Sequence, residues 1–136
     1  VRDYAKYFDC EFVICDKTRE KANEVKSVEV IGEVKDKDVI IVDDLIDTGG
    51  TIAMASNVIM DKGAKSVRAI ITHPVLSGNA EENLENSSLI ELVVTDSIPL
   101  NIRNKKIKVL SIAGLFAKAI RKIHENESTS SLFINR

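Results

Sequence analysis

The stretch Val39–Thr51, VIIVDDLIDTGGT, decides how the rest of the chain is read. Val39, Ile40, Ile41 and Val42 are all β-branched, and such an unbroken apolar run marks a central strand of a parallel sheet. Two adjacent acids follow, Asp43 and Asp44. A third, Asp47, leads into Thr48-Gly49-Gly50-Thr51. From Thr51 to Lys62 the spacing predicts a helix, ended by Gly63, the residue type that usually stands just past a helix C-terminus.

Working outward, the same alternation recurs. VRDYAKYF sets Val1, Tyr4, Ala5 and Phe8 on one helical face. Phe12 to Cys15 reads as a buried strand, TREKANE as a polar loop, SVEVIGEV as a half-exposed strand and KDKD as a turn. SVRAIITH and LIELVVTD are further strands, separated by a short helix at NAEENLEN. IKVLSI is a short strand leading into AGLFAKAIRKIHEN, where Leu115, Phe116, Ala119, Ile120 and Ile123 form an apolar face. Strands alternating with helices predict an α/β fold: three layers, with a mostly parallel twisted sheet flanked by helices. Residues 1–136 are expected to form a single domain. The opening on Val1, directly in a helical pattern, is the beginning expected of a fragment.

Composition removes several classes of function. The 19 basic and 21 acidic side chains nearly balance, so charge supplies no reason to expect a nucleic-acid or membrane partner. No apolar run approaches the roughly 20 residues that span a bilayer. Cys10 and Cys15 are read as buried free thiols in a reducing, cytoplasmic compartment, because no further ligand completes a metal site.

The opening stretch combines two chemistries. In open α/β sheets, ligands bind beyond the carboxyl ends of the strands, where this segment lies. If the strand ran through both Asp43 and Asp44, their side chains would point to opposite faces. The strand is therefore expected to end at about these acids, which the turn then brings over its edge. Carboxylates suit vicinal sugar hydroxyls, directly or through Mg²⁺. Gly49 and Gly50 permit a concave array of amides that, with the following helix N-terminus, favours an anion, and Thr48 and Thr51 add hydroxyls. Acids and amides so close together describe a sugar-phosphate site. The plainer alternative is a strand-to-helix turn capped by Thr51. No GxxxxGK[ST] or GxGxxG motif occurs.

VIIVDDLIDTGGT resembles the phosphoribosyl-diphosphate loop of type I phosphoribosyltransferase folds. THPVLSGNA (Thr72–Ala80), ELVVTDSIP (Glu91–Pro99), LSIAGLFAKAI (Leu110–Ile120) and STSSLF narrow the resemblance to ribose-phosphate diphosphokinases. Only the C-terminal part of that two-domain family is resembled, without its N-terminal domain. The resemblance implies transfer of the diphosphoryl group of ATP to O1 of ribose 5-phosphate, with Mg²⁺. It implies cytoplasmic homo-oligomers, typically hexamers built from dimers, with phosphate or ADP as possible effectors. By position, Asp43, Asp44, Asp47, Thr48, Gly49, Gly50 and Thr51 would hold ribose 5-phosphate. Asp43 and Asp44 would also meet the metal. Lys17 and Arg19 would be catalytic, neutralising charge on the transferred group. Thr18 between them departs from the basic residue common in the family. Ser128, Ser130 and Phe133 match a tail that helps form an allosteric site in many members. His73 carries no family role and reads as a strand-end residue. Two alternatives share the loop: a phosphoribosyltransferase, and a non-catalytic regulatory relative of the synthetase.

Overall fold

The computed structural model describes residues 2–21 and 24–133, and between 17 and 27 it describes the backbone alone. In chain order the elements are α1 (Arg2–Phe8), β1 (Ile14–Lys21), β2 (Glu24–Ile31), β3 (Asp38–Ile46), α2 (Gly50–Asp61), β4 (Ser66–Pro74), α3 (Ala80–Glu85), β5 (Leu89–Thr95), β6 (Ile107–Leu110) and α4 (Ala113–His124), with a 3-10 turn at Ser130–Leu132.

Strands β3 to β6 form one parallel sheet in the order β3-β4-β5-β6. The expected α/β class, a parallel sheet flanked by helices, is therefore present. Its core lies between the sheet and α2 with α3. Val67, Ala69 and Ile71 of β4 and Leu92 and Val94 of β5 meet Ile52 and Ile59 of α2 and Leu84 of α3, and all are buried. Helix α2 stops where the sequence predicts. Gly63, at φ 89°, lets Ala64 N–H reach Ile59 O (3.3 Å) and Gly63 N–H reach Met60 O (2.9 Å), the paired bonds of a glycine-terminated helix end.

Three expectations are corrected. The Phe12–Cys15 strand is not buried: Phe12, Ile14 and Cys15 are exposed, outside the parallel sheet. β1 starts at Ile14 and pairs antiparallel with β2 in a separate two-stranded ribbon. The TREKANE loop is largely strand, because its described backbone forms the facing arms of that ribbon. The ribbon is anchored at its base, where Val28 and Val30 are buried and Lys62 donates to Val30 O (2.6 Å). Cys10 and Cys15 are free thiols but exposed, not buried, because the chain around them lies outside the sheet core.

The apolar face of α4 forms as predicted, yet among the described residues nothing covers it: Phe116 is 57% and Ile120 63% exposed. The sheet face opposite α2 is likewise open at Ile40, Ile70 and Ile90. In α1 only Ala5 is buried, while Tyr4 and Phe8 of the expected face are exposed and Val1 lies outside the described residues.

Lys106 closes the far end of α3. Its ammonium donates to the carbonyls of Leu84 (2.7 Å), Ser87 (2.9 Å) and Glu85 (3.2 Å). Leu84 and Glu85 belong to the last turn of α3, where carbonyls lack a full set of intrahelical partners, and Ser87 lies just past its end. Lys106→Met keeps the aliphatic stem and removes the donors. It is expected to lower unfolding stability by about 1–3 kcal/mol, read from urea denaturation. An unchanged midpoint would show that water replaces the ammonium at no cost.

Candidate functional site

The loop Asp43–Thr51 sits at the carboxyl edge of the sheet, between the end of β3 and the start of α2. The expectation that the strand ends at Asp43 and Asp44 is corrected. The ladder continues to Ile46, because β4 extends alongside it and pairs Leu45 with His73 and Ile46 with Pro74. What breaks at the acids is the alternation of side chains. Val39 and Ile41 pack on the core and Ile40 is exposed, yet Ile46 is buried and Leu45 exposed. Inward positions change from odd to even, so the pattern slips by one residue between Val42 and Leu45. β4 slips beside it, from Ile71 inward to Pro74 inward. Both carboxylates are exposed at this irregularity, and Asp44 N–H donates to Asp43 Oδ1 (3.0 Å).

Gly49 is the N-cap of α2, at φ 75° and with no side-chain cap, so Thr51 is not the capping residue. That left-handed angle is one that glycine adopts without steric cost. The first i→i−4 bond into the helix is Ala53 N–H to Gly49 O (2.9 Å). Among the described residues, the amides of Thr48, Gly49, Gly50, Thr51 and Ile52 donate to no protein acceptor. Five unpartnered N–H groups at a helix N-terminus can receive an anion, which the helix dipole favours. Asp43 and Asp44 stand a few residues away as hydrogen-bond acceptors.

The loop is held from behind by the segment that follows β4. Val75 and Leu76 N–H both donate to Ile46 O (3.0 and 3.2 Å). Ser77 N–H donates to Asp47 O (3.1 Å), and its hydroxyl donates to the Asp47 carboxylate. Asn83 Nδ2, on α3, donates to Thr48 O (2.7 Å). Asp47 is thereby engaged with the protein. The sequence singles out Ser77 only as part of the THPVLSGNA match, and Asn83 not at all. They lie 30 and 35 positions from their partners, and no periodicity reports contacts at that range.

Lys17 and Arg19 lie in β1, paired in backbone register with Val28 and Val25. Their side chains fall outside the described residues. His73 stands near the end of β4, where its sequence context puts it. Its Nδ1 lies 2.9 Å from Ser97 Oγ, whose hydroxyl lies 3.0 Å from Thr72 O as donor. Asp96 accepts hydrogen bonds from the Ser111 hydroxyl and from Ile112 N–H, which hold its carboxyl below the usual carboxylate range and tie β5 to the start of α4. Ser128 and Ser130 hydroxyls meet at 2.9 Å, and Phe133 is exposed. None of the three is hydrogen-bonded to the Asp43–Thr51 loop.

No group of three or more His, Cys, Asp or Glu able to hold a metal exists among the described residues. The exposed pair Asp43 and Asp44 offers oxygen ligands for part of a coordination sphere. That fits an ion that keeps several waters and shares substrate oxygens.

The chain matches the phosphoribosyl synthetase-associated domain family over residues 13–134. It is 54% identical over 133 residues to a ribose-phosphate pyrophosphokinase of Campylobacter jejuni, covering 98% of this chain and 43% of that protein. It is 53% identical over 132 residues to one from Helicobacter hepaticus, covering 97% and 43%. The structure is similar to that of phosphoribosylpyrophosphate synthetase from Mycobacterium smegmatis, with a TM-score of 0.80 and 39% identity, over 93% of this chain and 42% of the other. The chain thus spans less than half the length of the relatives it matches. No described helix is long and apolar enough to cross a membrane.

Proposed function

The chain belongs to the phosphoribosyl synthetase-associated domain family, and from that premise we propose that it carries the ribose 5-phosphate site of a ribose-phosphate diphosphokinase. The observation that supports this reading is the juxtaposition at one sheet edge of two exposed carboxylates and five unpartnered amides. The amides of Thr48 to Ile52 bind the 5-phosphate, helped by the Thr48 and Thr51 hydroxyls. Asp43 and Asp44 accept hydrogen bonds from the ribose 2- and 3-hydroxyls, which orients O1 toward the diphosphoryl donor. Mg²⁺ held there by Asp43 and Asp44 would supply positive charge against the hydroxyl and phosphoryl oxygens.

In the reaction, O1 of ribose 5-phosphate attacks the β-phosphorus of ATP. The O1–Pβ bond forms, the bond from Pβ to the oxygen of AMP breaks, and the O1 proton leaves to solvent. Lys17 and Arg19 neutralise charge on the transferred group. In the full-length protein this part works beside the remaining domain, in a homo-oligomer, with phosphate or ADP acting at a site that includes Ser128, Ser130 and Phe133.

Calorimetric titration of the full-length protein, with Mg²⁺ present, tests the substrate. Saturable binding of ribose 5-phosphate, with ribose at least about 100-fold weaker, is expected from the loss of several charge-assisted bonds to phosphate. AMP should then form only when ATP and ribose 5-phosphate are supplied together. Equal affinity for ribose and ribose 5-phosphate would sink the assignment of the amides to the phosphate. Binding without ATP-dependent AMP formation would identify a non-catalytic relative.

A further inference from the structure

We propose that Asn83 and Ser77 are positioning residues that hold the Asp47–Ile52 backbone open for a phosphate. This rests on the ribose 5-phosphate reading and adds the device that keeps its anion site unfilled.

An α-helix winds by passing each N–H to the carbonyl four residues back. If α2 wound one residue further toward its start, Ile52 N–H would go to Thr48 O, and a second residue would send Thr51 N–H to Asp47 O. Those are the two carbonyls already engaged from across the chain. Ser77 N–H takes Asp47 O at 3.1 Å, and Asn83 Nδ2 takes Thr48 O at 2.7 Å. With Thr48 O directed to Asn83 of α3 and Asp47 O to Ser77 before it, the first helical bond is the one to Gly49 O. The amides of Thr51 and Ile52 stay available, together with those of Thr48, Gly49 and Gly50.

The latch is itself well anchored. Leu76, just before Ser77, is buried although its φ of +50° is unusual for a leucine. Gly78, just after it, has φ +55°. The two left-handed residues bracket Ser77, and both its N–H and its hydroxyl reach Asp47. Leu84, beside Asn83 on α3, is fully buried, so α3 is fixed to the core and Asn83 with it. The fit around the loop is close without overlap. A Cβ added at Gly49 would lie 3.8 Å from both Ala80 O and Asn83 Cβ, and one at Gly50 would lie 3.8 Å from Asn83 Nδ2. Asn83 uses its amide as a donor here, because its partner is a carbonyl. Asp at this position would set a carboxylate against that carbonyl, whereas Gln keeps the donor on a longer arm.

The test is titration of full-length wild-type protein, Asn83→Ala, Asn83→Gln, Asn83→Asp and Ser77→Ala with ribose 5-phosphate, inorganic phosphate and ATP, beside their melting temperatures. Asn83→Ala should raise the Kd for ribose 5-phosphate and for phosphate about tenfold, the size of one hydrogen bond's contribution. The Kd for ATP and the melting temperature should stay near wild type. Asn83→Gln should recover most of the affinity, Asn83→Asp none, and Ser77→Ala should fall between. Unchanged phosphate affinity in Asn83→Ala would overturn the proposal. So would a parallel loss of ATP binding and thermal stability, which marks a purely structural role. Wild-type protein that binds phosphate but not ribose 5-phosphate would overturn the ribose reading alone, and the Asn83 comparison would still decide with phosphate. Wild-type protein that binds neither would overturn both.

Discussion

Lys17→Ala in the full-length protein is expected to lower kcat by about 10²–10³-fold, the usual loss on removing one preorganised stabilising group from a transition state. The Kd for ribose 5-phosphate should not change. The reason lies in the separation of tasks along the chain. Ribose 5-phosphate is assigned to the loop after β3, whereas Lys17 belongs to the β1–β2 ribbon, a different sheet. On the proposed assignment, a cation there would meet the transferred diphosphoryl group, whose charge is redistributed in the transition state, and would leave the bound sugar phosphate alone. Phosphoryl transfer depends mainly on such positioning and electrostatics. Lys17→Arg keeps the charge but changes reach and geometry, so partial recovery is expected. Steady-state kinetics with direct titration separates the two parameters. A kcat equal to wild type, or a loss confined to ribose 5-phosphate affinity, would remove Lys17 from the transfer step.

The paired replacement Asp43→Asn with Asp44→Asn is expected to weaken ribose 5-phosphate binding by at least about 100-fold. A hydrogen bond to a charged group contributes roughly 1.5–3 kcal/mol, about tenfold to a hundredfold each. The fold should tolerate the change. Both residues are exposed, and an Asn at 43 still presents a carbonyl oxygen to the Asp44 N–H. Exposed substitutions usually move stability by no more than about 0.5 kcal/mol. Inorganic phosphate provides the internal control. It should bind the double variant at least as well as wild type, because two nearby negative charges are gone and the amides remain. Loss of phosphate binding as well would mean that the acids shape the loop rather than contact the sugar. Undiminished ribose 5-phosphate binding would mean that they do neither.

Periodicity and residue type account for much of what the structure displays. The β-branched run Val39–Val42 gives a strand, and Gly63 ends α2 because its left-handed angle suits glycine. The clustering of Asp43, Asp44 and the Thr-Gly-Gly-Thr turn is local, so the sequence alone shows acids and a glycine-rich helix start at one strand end. Amphipathicity was legible in α4, but what lies against its apolar face was not, since a pattern of spacing names no partner. The ribbon is not legible in TREKANE because the segment is polar, and an antiparallel pair outside the sheet needs no alternation of apolar residues to form.

The sequence by itself determined the α/β class, the order of its elements and the chemistry available after β3. Each follows from interactions within a few residues: backbone angles, side-chain period and the residue types that end helices. Only the tertiary structure decided that the ladder runs on past Asp44 while its alternation slips, because that depends on how far β4 extends alongside. Only it brought Ser77 and Asn83 onto the carbonyls behind the loop. Those contacts close over 30 or more positions. They exist because the course of the chain after β4 and the packing of α3 on the core place Ser77 and Asn83 where local sequence has no means of specifying them.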